Sequence, residues 1–103
     1  MHTREHLYID GSWAEPTGEG KIEVINPANE EIIGSVPVGS AADVEVAVAA
    51  AKAAFLEWSN TSIEERVDFL NMLSQAIKER TEELTELITS EVGTPINYCR
   101  GAM

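Results

Sequence analysis

The chain of 103 residues has one cysteine, Cys99, so no disulfide can form within it. A thiol without a partner fits a reducing compartment. Aromatic residues are scarce, with two each of Trp, Tyr and Phe. Basic residues are heavily outnumbered: 7 Lys and Arg face 18 Asp and Glu, for a formal net charge of -11. That sign repels phosphate backbones and anionic headgroups, so nucleic acid and membrane surfaces are excluded as natural partners. No stretch approaches the roughly 18 apolar residues of a membrane span. The opening Met1-His2-Thr3-Arg4-Glu5-His6 has no apolar run behind it, so no signal peptide is expected. Repeats and low-complexity tracts are also absent. A cytoplasmic protein fits these absences. What is present suffices for a folded chain: 44% of the residues are apolar, more than disordered segments carry. The length allows one domain at most.

Residues 1–6 are expected to form a disordered tail. Leu7-Tyr8-Ile9 and Ser12-Trp13-Ala14 flank Asp10-Gly11, a two-residue hairpin signal because a type I′ turn demands positive φ. Glu15 to Gly20 is loop by composition. A second hairpin pairs Ile22–Ile25 with Ile32–Val36 across Asn26-Pro27-Ala28-Asn29, where Pro27 stiffens the corner. Pro37 places the end of this strand at a terminus or a sheet edge.

Helical periodicity begins after Ser40, an N-cap with Asp43 three residues on. Val44, Val48, Ala51, Phe55 and Trp58 form the apolar stripe, and Trp13 and Trp58 read as packing anchors. Thr61-x-x-Glu64 and Ser62-x-x-Glu65 are overlapping capping boxes for a second helix striped by Ile63, Val67, Leu70, Leu73 and Ile77. Thr81 is the expected cap of a third helix ending at Gly93. Thr94-Pro95 opens a fourth, with Ile96, Cys99 and Met103 on one face. That helix reads as truncated, because nothing caps it. Two hairpins cannot cover three broad apolar helix faces, so an exposed apolar patch is expected, and with it a missing partner.

Several motifs invite chemistry and do not support it. His2-x-x-Glu5-His6 spells an inverted zinc-protease signature, but that needs a stable helix and a third ligand. Gly18-Glu19-Gly20-Lys21 has neither the spacing nor the Ser/Thr of a phosphate loop. Cys99 has no base or cationic setting and reads as a buried structural thiol. Glu82, Glu83 and Glu86 form a solvated helix face. Asn60-Thr61-Ser62 reads as a helix start.

An ordered series of segments resembles the opening of NAD(P)-dependent aldehyde dehydrogenases. It comprises Tyr8 to Trp13, Ile22 to Ala28, Ile32 to Pro37, the Ala47–Phe55 helix with Trp58, the Glu64-Glu65-Arg66 helix start, Glu83-Leu84, and Ile88 to Gly93. The series spans essentially residues 7 to 100. The resemblance implies an α/β fold in which residues 7–103 are the N-terminal part of a Rossmann-like coenzyme-binding domain. The whole enzyme would be several times longer, homo-oligomeric, and dependent on NAD or NADP. In such enzymes a cysteine thiolate attacks the aldehyde, hydride passes to NAD(P), and a glutamate helps water release the acid. By resemblance none of these catalytic groups, and no coenzyme-binding residue, lies in this chain, whose role is scaffold. The glycine fingerprint of a dinucleotide site is likewise missing. The resemblance also implies a monovalent cation held by the carbonyls of Val24 and Ile25 and the carboxylate of Glu91, oxygen donors that suit a hard ion. Glu91 stands where some members carry Asp, and Thr94 where the family often has Lys. The competing reading is a free-standing acidic helical interaction module with its apolar helix faces turned to a partner protein.

Overall fold

The computed structural model describes residues 2–102. They form β1 (His2–Thr3), β2 (Leu7–Ile9), β3 (Ser12–Ala14), β4 (Lys21–Ile25), β5 (Ile32–Pro37), α1 (Ala41–Trp58), α2 (Ile63–Glu79), α3 (Thr81–Val92) and α4 (Ile96–Ala102). The chain divides into two compact units. One runs up to Val24 and resumes over Ile32–Asn60; the other holds Ile25–Glu31 and the helices from Thr61 onward.

In the first unit, β2 and β3 pair antiparallel with Tyr8 opposite Trp13. The turn residues Asp10 and Gly11 have φ of 54° and 76°, the double left-handed step that a type I′ turn needs. The two aromatic rings of the Tyr8–Trp13 pair meet edge to face at 5.1 Å. The second sheet has the order β1-β5-β4. Val38 N–H donates to the Gly20 carbonyl at one end, and Asn26 N–H to the Glu31 carbonyl at the other. Those two closures fix β4 and β5 as the second hairpin. Pro37 is the last residue of β5, at a strand terminus as expected, but β5 is the central strand and not an edge.

The expected disordered tail is corrected over His2–Arg4, with Met1 lying outside the described residues. His2 and Thr3 pair with Gly34 and Ser35 in parallel register, and Arg4 N–H donates to the Ser35 carbonyl at 2.9 Å. A strand of two polar residues has no hydrophobic alternation to betray it. Its order comes from backbone hydrogen bonds to a neighbour that lacks a side chain at the contact.

α1 starts at Ser40, whose hydroxyl accepts from Asp43 N–H while Asp43 accepts from Ser40 N–H, a reciprocal capping box. In the second unit Ser62 and Glu65 repeat the arrangement for α2, which resolves the two overlapping boxes in favour of the later one. The cap expected at Thr81 is not there. Arg80 alone separates α2 from α3 and occupies the N-cap without a side-chain cap bond. Thr81 is already helical, and its hydroxyl donates back to the Ile77 and Lys78 carbonyls. With one connecting residue the preceding helix claims the hydroxyl first. Gly93 ends α3 in the left-handed conformation at φ 77°. α4 begins one residue after Pro95, whose carbonyl accepts from Cys99 N–H. The Met103 position in the expected stripe lies outside the described residues.

Little is buried. Among the described residues Cys99 is the buried hydrophobic side chain, at 5% exposure, and Asp43 and Thr85 are the buried polar ones. The apolar stripes instead face outward: Val44, Val48 and Phe55 on α1, and Ile63, Leu70 and Met72 on α2, are all exposed. Trp13 is 61% exposed and Trp58 47%, so neither is buried as a core anchor by these residues. Their apolar area is available to be covered, as the sequence pattern requires.

Candidate functional site

The residues expected to hold a cation fall in both units. Val24 is the last residue of its stretch in the first, while Ile25 and Glu91 belong to the second. Within the second unit the turn after Ile25 is tightly specified. Ala28 N–H donates to the Asn26 side-chain carbonyl at 2.9 Å, Glu31 N–H to that of Asn29 at 3.1 Å, and Glu30 takes a φ of 62°. Such Asx turns let Asn residues replace backbone partners. Pro27 from this turn packs on the end of α3: a Cβ at Gly93 would meet Pro27 Cγ at 2.9 Å. Glu91, two residues earlier on α3, is exposed. The turn carrying the Ile25 carbonyl and the helix end carrying Glu91 are therefore held against each other through Pro27 and Gly93. The donor set is all oxygen, the chemistry a hard cation takes. Among the described residues no three His, Cys, Asp or Glu side chains cluster as a metal site.

The other tempting groups are dispersed. His2 lies in β1 rather than on a helix, which removes the geometry of the inverted zinc-protease motif. His6 instead contacts Glu15 at 2.7 Å. Cys99 is buried between weak sulfur contacts, accepting from the Thr89 hydroxyl at 3.8 Å and facing the Thr94 carbonyl at 3.9 Å. Arg100 turns away and grips Glu82 with two hydrogen bonds of 2.9 and 3.0 Å. That pairing draws the Glu82 carboxyl below its ordinary pKa. Among the described residues no base is bonded to the thiol, as its activation would require.

The most developed polar cluster is structural, and sequence reasoning found only half of it. The Asp43 carboxylate accepts from Ser40 N–H, Thr17 N–H and the Thr17 hydroxyl. Thr17 and Ser40 hydroxyls lie 2.6 Å apart. The backbone donor of Ser40 outweighs burial and, with the Thr17 donors, pulls Asp43 from 3.8 to about 2. The capping spacing revealed Ser40 and Asp43. Thr17 sits in a glycine-rich loop with no periodicity to connect it to a helix start 23 residues later.

The chain's residues 13–103 match the model of the aldehyde dehydrogenase family. It is 43% identical to the chloroplastic betaine aldehyde dehydrogenase of Beta vulgaris, over 88% of this chain and 19% of that protein. It is 40% identical to the 3-succinoylsemialdehyde-pyridine dehydrogenase of a Pseudomonas species, over 93% of this chain and 20% of that one. The fold superposes on the crystal structure of aldehyde dehydrogenase from Bartonella henselae with a TM-score of 0.93 at 32% identity, covering 99% of this chain and 21% of that one. With aldehyde dehydrogenase C of Pseudomonas syringae, solved with NAD+ and octanal, the TM-score is 0.90 at 47% identity, covering 96% and 20%. The chain thus spans about a fifth of the length of its relatives. The family match over residues 13–103, the identities and the superpositions together show that the chain belongs to the aldehyde dehydrogenase family, as an N-terminal segment of its α/β fold.

Proposed function

We propose that this chain is the scaffold segment of an NAD(P)-dependent aldehyde dehydrogenase that oxidises an aldehyde to a carboxylic acid through a cysteine thiohemiacetal. The observation that carries this reading is the pairing of a close family match over residues 13–103 with apolar faces of α1 and α2 that these residues leave uncovered. The natural cover is the rest of an aldehyde dehydrogenase polypeptide, and the complete enzyme is a cytoplasmic homo-oligomer. NAD or NADP, when bound, supplies the hydride acceptor. No residue of this chain is assigned to hold it, and no step of the reaction runs through these residues. Cys99 does not serve as the nucleophile, since it is buried and lacks a neighbouring base. The chain's contribution is to set the first strands and helices on which the coenzyme domain is laid. In the complete enzyme the Val24 and Ile25 carbonyls and Glu91 are the proposed donors to a monovalent cation.

Aldehyde-dependent reduction of NAD and NADP tests this directly. The 103-residue chain alone should give no turnover. Co-expressed with the remaining four-fifths of a related enzyme that lacks its own copy of this segment, it should restore activity. Turnover by the isolated chain, abolished by Cys99→Ala, would overturn the scaffold reading. A cooperatively melting monomer that does not complement would favour the interaction module.

A further inference from the structure

β5 is the middle strand of its sheet, with β4 on one side and β1 on the other. The strands differ in how they tolerate an open edge. β4 reads Lys21-Ile22-Glu23-Val24-Ile25 and carries two charges. β5 reads Ile32-Ile33-Gly34-Ser35-Val36-Pro37 and carries none. Charged side chains discourage a strand from pairing with a stranger, while an uncharged β-branched strand invites it. The open side of the sheet among the described residues thus falls on the charged strand. The vulnerable strand is covered on its other side only by the short β1.

That cover is thin and depends on one position. It consists of the His2–Gly34 and Thr3–Ser35 pairs with the Arg4 N–H bond to Ser35. Gly34 is buried beneath it. A Cβ there would collide with the His2 carbonyl oxygen and lie 3.1 Å from its carbon. The obstruction is backbone, so no rotamer change relieves it. Gly34 does not have a positive φ, so it is the missing side chain and not an unusual conformation that the contact demands.

We propose that β1 is a guard strand, locked onto β5 through the bare backbone of Gly34, and that it keeps this edge from pairing with β5 of a second copy of the chain. Two β5 edges placed antiparallel would satisfy each other's N–H and carbonyl groups by a symmetric contact. Nothing in β5 before Pro37 opposes that pairing once the guard has left.

Three variants test it: Gly34→Ala, a chain lacking residues 2–4, and Gly39→Ala as control, since a Cβ at Gly39 meets nothing within 4 Å. Trypsin cleavage after Arg4 reads release of the guard. Sedimentation velocity reads the dimer, and amide hydrogen exchange along β5 separates strand pairing, which protects these amides, from association through helix faces, which does not. Gly34→Ala should cleave about tenfold faster than wild type or more, because cleavage follows the open population. It and the shortened chain should both form a dimer with protected β5 amides, with Gly39→Ala unchanged. If Gly34→Ala loses its helical circular dichroism, the shortened chain, which keeps Gly34, decides alone. Wild-type cleavage kinetics in a folded Gly34→Ala would overturn the lock. A shortened chain that forms no dimer with protected β5 amides would overturn the guard.

Discussion

The backbone N–H of Thr17 lies 3.1 Å from both carboxylate oxygens of Asp43, 26 residues further along the chain. This bond ties the loop after the first hairpin to the first turn of α1. It also makes Asp43 answer to two masters, since the same carboxylate closes the capping box with Ser40.

Acid should loosen that tie in a definite window. Asp43 is held at about 2, below its ordinary 3.8, first by the Ser40 N–H and then, against the cost of burial, by Thr17. A folded-state pKa below the unfolded one contributes stability that is complete above the unfolded value. The contribution is lost as pH falls from about 4 toward about 2. Glu65 and Glu82 are also depressed, through Ser62 and Arg100, so the total acid response is shared. The difference between wild type and Asp43→Asn isolates the Asp43 part. We expect Asp43→Asn to lower the melting temperature by roughly 5 °C at neutral pH, and that gap to close between about pH 4 and pH 2. A gap of constant size across a pH series of thermal melts would show that the carboxylate charge is not what matters.

A second expectation concerns the cap itself. Ser40 accepts from Asp43 N–H at 3.1 Å, and its N–H is in turn satisfied by Asp43. Ser40→Ala should cost about 1 kcal/mol, the usual loss for an N-cap. Ser40→Asp should recover little of it, because a second carboxylate would face Asp43. Urea titration followed by circular dichroism measures both.

The division between what was readable in the residues and what was not follows the range of each interaction. Asp10-Gly11, Ser40 with Asp43, Ser62 with Glu65, and Gly93 act over at most four residues, and each sits where its chemistry puts it. The apolar stripes of α1 and α2 were legible as patterns, and their exposure followed from the shortage of anything to cover them. Thr17 and β1 were not legible. Each acts across a long separation: β1 through backbone groups, which carry no residue-specific signal, and Thr17 through its N–H and hydroxyl from a loop without periodicity. Thr81 failed for a different reason. Its hydroxyl had two helices to serve, and the energetics of a one-residue connection, not propensity, decided between them. For the cation position the residues supplied the ligand types. The structure adds the Pro27 contact with Gly93, which spacing alone could not reveal.

That contact yields a double-mutant cycle. Gly93 has φ 77°, where a side chain costs about 1–2 kcal/mol. The added Cβ would also press on Pro27 Cγ at 2.9 Å. Gly93→Ala should therefore destabilise by more than the backbone penalty alone. In a Pro27→Ala background the crowding disappears and only the backbone part should remain. Equal costs in the two backgrounds, measured by chemical denaturation, would mean the turn and the helix end do not press on each other.

Cys99 offers a direct probe of order in α3 and α4. Its side chain is buried at 5% exposure, and Thr89 and Thr94 flank the sulfur. A thiol reaches reagent only when such a contact opens. Labelling by a disulfide reagent should be on the order of a hundredfold slower than in denaturing urea. Labelling at the urea rate under native conditions would place α4 in solvent.

The least comfortable residue in the molecule is Thr85. It is fully buried on α3 at 0% exposure, and its hydroxyl oxygen has no hydrogen-bond partner. A helical threonine commonly donates to the carbonyl four residues back, yet here the hydroxyl is left without one. An unpaired buried hydroxyl costs about 1–3 kcal/mol, whereas an isosteric apolar group costs nothing of the kind. Thr85→Val keeps the branched shape and removes the oxygen, so it should raise stability by about 1 kcal/mol. Thr85→Ala removes the oxygen and also a methyl, which opens a void and should cancel the gain. The order Val above Thr, with Ala no better than Thr, in urea midpoints would confirm an orphaned hydroxyl. Thr85→Val falling below wild type would mean that the oxygen has a partner in solution, a buried water being the simplest one.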